Sequence, residues 1–447
     1  MSLHELAPRP LATERSPWLR GVLRMAGDRA ISHRALILAA MARGESVIEG
    51  LHESADVFAT GRAMQALGAR IEKRGNRWHI MGIGVGGFLE PEDELHFGGS
   101  SVALRLCMGL VGSYGFVSRY AGDHALAGRS QARLLAALEH FGVGVVEGGP
   151  EHVPFALRGA RLATPADYVM EAPSTLIKSA MLLGALAIPG VTTITEPMAT
   201  RDHTEKMLRA FGARLETRSA EGGGRTTELE GLVNLRAQQV NVPGDGGAAA
   251  HAIVAGLIVP HSEVLVENVV VSPMRTGLID TLREMGASID LVRPRKSSGE
   301  DVADVRVIHG PLRGVTVPAE RVPALVEEFP LLCVAAAMAE GETVIHGLAA
   351  LRDRDCDQVQ AVARGLAVSH VGCEVGEDTL TIRGAGKVKG GGRVATHHDP
   401  AIAMAFLVLG MAAEEQVTVD DQSAIAAVYP AFTQDFENLG ASFLRYT

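Results

Sequence analysis

Apolar residues along this chain fall into a phrase that keeps returning. A helix closes on a large hydrophobic residue, a glycine follows, and a short alternating stretch begins. The phrase reads MQALGARIE from Met64, LEHFGVGVV from Leu138, LRAFGARLE from Leu208, LREMGASID from Leu282 and FENLGASFL from Phe436. A weaker copy, AVSHVGCEV, starts at Ala367. Each glycine is expected to end its helix in the left-handed conformation, which a residue with a Cβ adopts only at a cost. The β-branched residues after it predict a strand.

A second phrase recurs out of phase with the first. It reads GESVIEGL from Gly44, PGVTTITEP from Pro189, HSEVLVENV from His261, GETVIHGL from Gly341 and EEQVTVDD from Glu414, with YGFVSRYAGD from Tyr114 as the faintest copy. Each copy follows an apolar helix and alternates as a half-buried strand does. The two phrases repeat at a period of roughly 74 residues and together cover nearly the whole chain. That period is longer than a solenoid unit, so the pattern predicts an α/β protein of six small βαβ-type units gathered into globular domains.

Composition sharpens this picture in a few places. A chain of 447 residues is too long for one ordinary core, which makes two domains the expectation. The net charge of −10 argues against a non-specific nucleic-acid binder. It leaves room for an anionic small substrate, because the field inside a cleft is set locally. The cysteines, Cys107, Cys333, Cys356 and Cys373, form neither a CxxC pair nor a metal-ligand spacing. Inert thiols in a reducing compartment are expected, with no metal and no cofactor. The opening MSLHELAPRPLATERSPW lacks the apolar core of a signal peptide. The apolar run Ala401 to Ala413 stops short of the roughly 18 residues a membrane span needs. A cytoplasmic monomer is therefore expected.

Longer segments add chemistry. GDRAISHRALILAA (Gly27 to Ala40), EPMATRDHTEKMLRAFGA (Glu196 to Ala213) and NVPGDGGAAAHAIVAGLIVP (Asn241 to Pro260) stand with SPMRTGLIDTLREMGA (Ser272 to Ala287), EDVADVRV (Glu300 to Val307) and IAMAFLVLG (Ile402 to Gly410). Together they resemble 5-enolpyruvylshikimate-3-phosphate synthase, particularly its glyphosate-tolerant bacterial class. The resemblance implies a two-domain, inverse α/β barrel-like fold with three repeated βαβ-type units in each domain. It places the two chain crossings near Ala26 and Gln239. One domain would then hold residues 1–26 and 240–447, the other 27–239, with the active site in the cleft between them and helix N-termini directed at it. The sibling family that makes UDP-N-acetylglucosamine enolpyruvate normally carries a cysteine in the loop that here reads GDHALAGRSQARLL, and this loop has none.

The family reaction joins shikimate 3-phosphate to phosphoenolpyruvate, so its site must hold several phosphate and carboxylate groups with charge-assisted hydrogen bonds. By resemblance, Ser174, Thr175, Thr200 and Arg354 surround the ring phosphate, Arg34 meets the ring carboxylate, and Arg129 and Arg201 add positive charge. Arg29 stands for the Lys of GDKS. Glu327 replaces an Asp that reads the ring hydroxyls, and Asp355 replaces the Glu of KESDR. Asp355, Glu327 and Arg29 are the expected catalytic set.

The phosphoenolpyruvate half departs from the family pattern. DHRIAM reads DPAIAM from Asp399, placing Pro400 and Ala401 where His and Arg are usual. The Arg of KESDR is Gln358, a Gln is Leu176, and the GNAAT loop reads GGSSV from Gly98. Loss of two arginine contacts removes about 3–6 kcal/mol, or on the order of 10²–10⁴ in affinity. This points to an elimination that needs no phosphoenolpyruvate. The ring phosphate, allylic to the double bond, would leave, and Asp355 or Glu327 would take a ring proton. A carboxyvinyl transferase with a rebuilt pocket is the alternative, and a non-catalytic binding protein is a third.

Overall fold

The computed structural model describes residues 8–149, 151–352 and 356–446. They form two compact units. One comprises Met1–Met25, Gly244–Arg295 and Asp301–Thr447; the other comprises Ala26–Pro243 and Lys296–Glu300. The strand Gln239–Asn241 pairs in parallel with Arg43–Glu49, so the return crossing follows Pro243 and does not precede residue 240. The chain crosses twice more, at either end of 296–300.

Six sheets of four strands each share one order. An outer strand runs parallel to the second, and the last two add antiparallel. In the unit centred on Ala26–Pro243, the second strands are Arg43–Glu49, Val117–Ala121 and Val191–Glu196. In the other they are Glu263–Val270, Glu340–His346 and Val417–Val419. These six are the alternating second phrase of the sequence. Two outer strands come from far away in sequence, one of them from before the first crossing. Arg20–Arg24 lies parallel to Glu263–Val270 in one unit, and Gln239–Asn241 lies parallel to Arg43–Glu49 in the other.

Before each second strand comes a helix buried on almost every face. The six are Arg29–Met41, Ser101–Val111, Thr175–Ala185, Gly246–Ile258, Phe329–Met338 and Pro400–Ala412. Their sequences are rich in alanine and leucine because a helix enclosed by others must be apolar all round. Small residues set the closest approach: a Cβ on Gly109 would fall 2.2 Å from the Ala180 carbonyl oxygen of the neighbouring helix. No helix among the described residues is long and apolar enough to cross a membrane.

The glycine phrase behaves as expected in five repeats. Gly68, Gly142, Gly212, Gly286 and Gly440 have φ of 108°, 93°, 91°, 93° and 111°. The sixth repeat differs. The helix Gln358–Val368 runs into His370, which takes φ 63°, and Gly372 has already joined the next strand. The Val371 N–H donates to the Leu366 carbonyl, as Ala69 does to Met64, so the turn is kept with a histidine in the glycine's place.

Candidate active site

Among the described site residues, Arg29 opens the helix Arg29–Met41, Ser174 and Thr175 stand at the start of the helix Thr175–Ala185, and Glu327 precedes the helix Phe329–Met338. Five of the six buried helices are capped by their own side chains. Asp28 accepts from Ile31 N, Ser100 from Ala103 N, Ser174 from Ile177 N, Asp245 from Gly247 and Ala248 N, and Asp399 from Ala401 and Ile402 N. Serine and aspartate are favoured there because each satisfies an N–H that has no intrahelical partner.

In the unit of Ala26–Pro243, Arg29 opens the first helix, partly exposed and 3.8 Å from Asp56. Arg34 lies one turn further in and is 1% exposed. Its Nε donates to Thr204 Oγ1 at 2.7 Å, Nη1 to the Ala30 carbonyl at 2.8 Å and Nη2 to Ser179 Oγ at 2.8 Å. Three of its five donors thus serve the fold. Burial draws its pKa down to about 10, against the opposing charges of Glu205 and Asp28. Ser174 and Thr175 are half-buried at the start of their helix, followed by a half-buried Leu176. Arg201 is half-buried in the turn before the helix His203–Ala210, and Arg129 is exposed after the short helix His124–Ala127.

Thr200 lies over a charged interior that the sequence reading missed. The Lys178 ammonium stands 2.9 Å from Glu196 Oε1 and 2.7 Å from Glu205 Oε1, with all three side chains 1% accessible. Glu196 Oε2 accepts both the Thr200 hydroxyl, at 2.6 Å, and the Thr200 N–H, at 3.2 Å. Nearby, Glu300 is fully buried, 2.7 Å from His203 Nδ1 and 3.1 Å from Lys206 Nζ. Lys206 also meets Asp202 at 3.0 Å. Burial raises the Asp202 carboxyl, but Lys206 and Arg225 outweigh it and the net shift is downward. The signal for Lys178 was present in TLIKSAMLLGA, where one cation interrupts an apolar helix.

Two more cations flank Arg129. Arg105 donates from Nε to Gln131 Oε1 at 2.8 Å and from Nη2 to the Ser130 carbonyl at 3.1 Å. Arg133 reaches the Ala172 carbonyl. Burial lowers the Arg105 pKa, and the nearby positive charges of Arg129 and Arg133 lower it further.

In the other unit, Glu327 has about half its side chain exposed and accepts from Arg275 Nη1 at 2.7 Å. Arg275 is itself buried and lies 3.6 Å from the capping Asp245. Glu327, expected to read the ring hydroxyls or to act as general base, is one half of an ion pair. Gln358, 1% exposed, donates from Nε2 to Asp399 Oδ2 at 2.8 Å. Pro400 takes the first helical position, where its missing N–H costs nothing, and Ala401 N donates to Asp399. The three departures from the family pattern thus build one closed helix cap. Arg354 and Asp355 lie outside the described residues.

The profile of a family described as "EPSP synthase (3-phosphoshikimate 1-carboxyvinyltransferase)" matches residues 14–436. A 3-phosphoshikimate 1-carboxyvinyltransferase of Chelativorans sp. is 49% identical over 441 residues, 98% of each chain. One from Rhizobium johnstonii is 48% identical over 444 residues, again 98% of each. The structure of an EPSP synthase from Acinetobacter baumannii superposes with a TM-score of 0.91 at 32% identity, covering 98% of this chain and 100% of that one. The enolpyruvyl transferase NikO of Streptomyces tendae shares the fold, with a TM-score of 0.75 at 20% identity over 99% of this chain and 100% of that one.

Proposed function

The chain belongs to the EPSP synthase family, and from that premise we propose that it transfers the carboxyvinyl group of phosphoenolpyruvate to a hydroxyl of shikimate 3-phosphate. The observation that carries this reading is the 49% identity to a protein named for that reaction, extending over 98% of both chains. It supports the carboxyvinyl transferase alternative better than the expected phosphoenolpyruvate-independent elimination, for which the relatives give no support.

The charge deficit behind that expectation came from counting cations at aligned positions only. Arg105, Arg133 and Arg275 were left out of the count. Arg105 and Arg133 are guanidiniums held by their neighbours close to Arg129, whereas Arg275 is already paired with Glu327 and Asp245. One new charge-assisted contact contributes about 1.5–3 kcal/mol, so two of them offset the arginines absent at Gln358 and Ala401. Ser174, Thr175, Arg34 and Arg201 are proposed to bind the ring acid, and Arg29, Arg129 and Arg105 the second anion. Asp355 and Arg354 keep their proposed roles by resemblance.

In the reaction a ring hydroxyl forms a C–O bond to carbon 2 of the enol as the methylene carbon takes up a proton. The methylene carbon gives a proton back when the double bond is restored, so that the hydroxyl proton leaves with the phosphate. The bond from carbon 2 to the phosphate oxygen breaks, and inorganic phosphate leaves. Guanidinium groups stabilise the departing charge. The test is phosphate release from shikimate 3-phosphate and phosphoenolpyruvate, separately and together, with mass detection of the enolpyruvyl ether. Phosphate and ether are expected only from the mixture. Phosphate from shikimate 3-phosphate alone, with no ether from the mixture, would reverse the conclusion.

A further inference from the structure

Arg275 is a buried cation that ends on a half-exposed anion. Its side chain is 4% exposed, and that of Glu327 is 51% exposed. Nη1 donates to Glu327 Oε2 at 2.7 Å, while Nη2 lies 3.6 Å from Asp245 Oδ1. The same Asp245 oxygen accepts from Gly247 N and Ala248 N, so the guanidinium is backed by a helix cap. The first two residues of that helix are glycines, which bring no side chain between the cap and the cation. A Cβ on Gly246 would lie 3.6 Å from Arg275 Nη2, and one on Gly247 would lie 3.8 Å from it.

The segments that carry the pair are pressed together. Arg275 closes the turn Pro273–Arg275, and Glu327 comes shortly after the turn Ala319–Ala324. A Cβ on Gly277 would fall 2.9 Å from the Ala324 carbonyl oxygen, an approach that glycine permits. Arg321 ties the two segments a second time, donating from Nη2 to Glu284 Oε1 at 2.7 Å.

A glutamate half in water can sample several rotamers, whereas a group that orients a reacting hydroxyl must be held to about 0.5 Å. A charge-assisted bond to one carboxylate oxygen fixes the plane of the group, and with it the direction of the other oxygen. The donor here is itself fixed, by burial and by Asp245. We propose that Arg275 is a positioning residue for the transfer reaction, which acts through Glu327 and holds that carboxylate toward the ring hydroxyls of the substrate. The inference rests on the carboxyvinyl transfer reading.

Steady-state kinetics of Arg275→Gln, Arg275→Lys, Glu327→Gln and the double variant Arg275→Gln/Glu327→Gln test it, with a urea midpoint for each. Arg275→Gln should lower kcat/KM for shikimate 3-phosphate about 10- to 100-fold, with KM for phosphoenolpyruvate changed less than about twofold. Arg275→Lys keeps the charge and should recover part of the loss. In the Glu327→Gln background, Arg275→Gln should remove less than about a further twofold, because the carboxylate it acts through has gone. Arg321→Gln loosens the same packing without touching Glu327, so it should lower the urea midpoint and leave kcat/KM as it was. Equal penalties for Arg275→Gln with and without the Glu327 carboxylate would show a merely structural role and sink the proposal. An Arg321→Gln loss of kcat/KM as large as that of Arg275→Gln would do the same. If Arg275→Gln fails to fold, Arg275→Lys carries the same comparison between the two backgrounds. Wild-type protein that forms no enolpyruvyl ether would instead remove the transfer reading, and this inference with it.

Discussion

Lys178 carries its ammonium into the interior of its unit, between Glu196 and Glu205, with 1% of each side chain accessible. Charges taken out of water at this depth are held only by one another. Removing one leaves the others uncompensated, which costs more than the intact group ever contributed. Lys178→Met is expected to destabilise its unit by about 3–5 kcal/mol, read as a lower urea midpoint. Replacing Lys178, Glu196 and Glu205 together by apolar residues of similar volume should recover much of that stability while leaving Thr200 without its partner. A triple variant no more stable than the single one would show that the cluster stabilises the fold in its own right. None of this pairing is legible in sequence, since Lys178 and Glu205 stand in different helices and Glu196 ends a strand. The odd lysine in an apolar helix is visible; its partners are not.

At the scale of elements, the six helix-ending turns test one rule six times. Five place glycine at positive φ, and the sixth places the exposed His370 there at φ 63°. The left-handed region costs a residue with a Cβ roughly 1–2 kcal/mol, part of which glycine returns as greater freedom in the unfolded chain. His370→Gly should therefore stabilise the protein by about 0.5–1 kcal/mol, measured by chemical denaturation. No gain would mean the histidine makes up its strain through contacts of its own. The helix caps teach the converse lesson. Pro400, Ala401 and Gln358 look like losses when aligned against a family pattern. In the fold they are a proline at the first helical position, an amide on a capping carboxylate and the glutamine that holds that carboxylate.

Across the molecule, His33 in one unit and His251 in the other are buried and held neutral. His33, hydrogen-bonded to Thr60 at 2.7 Å, is pushed down to about 3 by burial and by the charges of Arg34 and Arg29. His251 is pushed down to about 4 by burial, beside Tyr429 and Phe432. Both titrate near 6.5 when unfolded, so below that pH the unfolded chain binds more protons than the folded one. Stability then rises with pH: it is complete above about 6.5 and is lost as pH falls toward the folded values. Between pH 7 and pH 5 each histidine should remove about 2 kcal/mol from its own unit. Urea unfolding across that range should show the loss, and His251→Phe should flatten it for the unit of Gly244–Arg295 alone. An unchanged slope in that variant would count against a neutral buried histidine at 251.

The sequence by itself determined the six-fold repeat, the left-handed turns, the alternating second strands and the family. These are local patterns, written in residues a few positions apart, where glycine, β-branching and apolar period act without help from the rest of the chain. Tertiary structure decided which charges are spent and which are free. Arg34 is committed to Ala30, Ser179 and Thr204, Glu327 to Arg275, and the Thr200 proton to Glu196. A hydrogen bond depends on where its partner lies in space, and several of these partners stand tens of residues away in the chain. The same separation hid the placement of Arg105 and Arg133 beside Arg129, which alignment at single positions does not show.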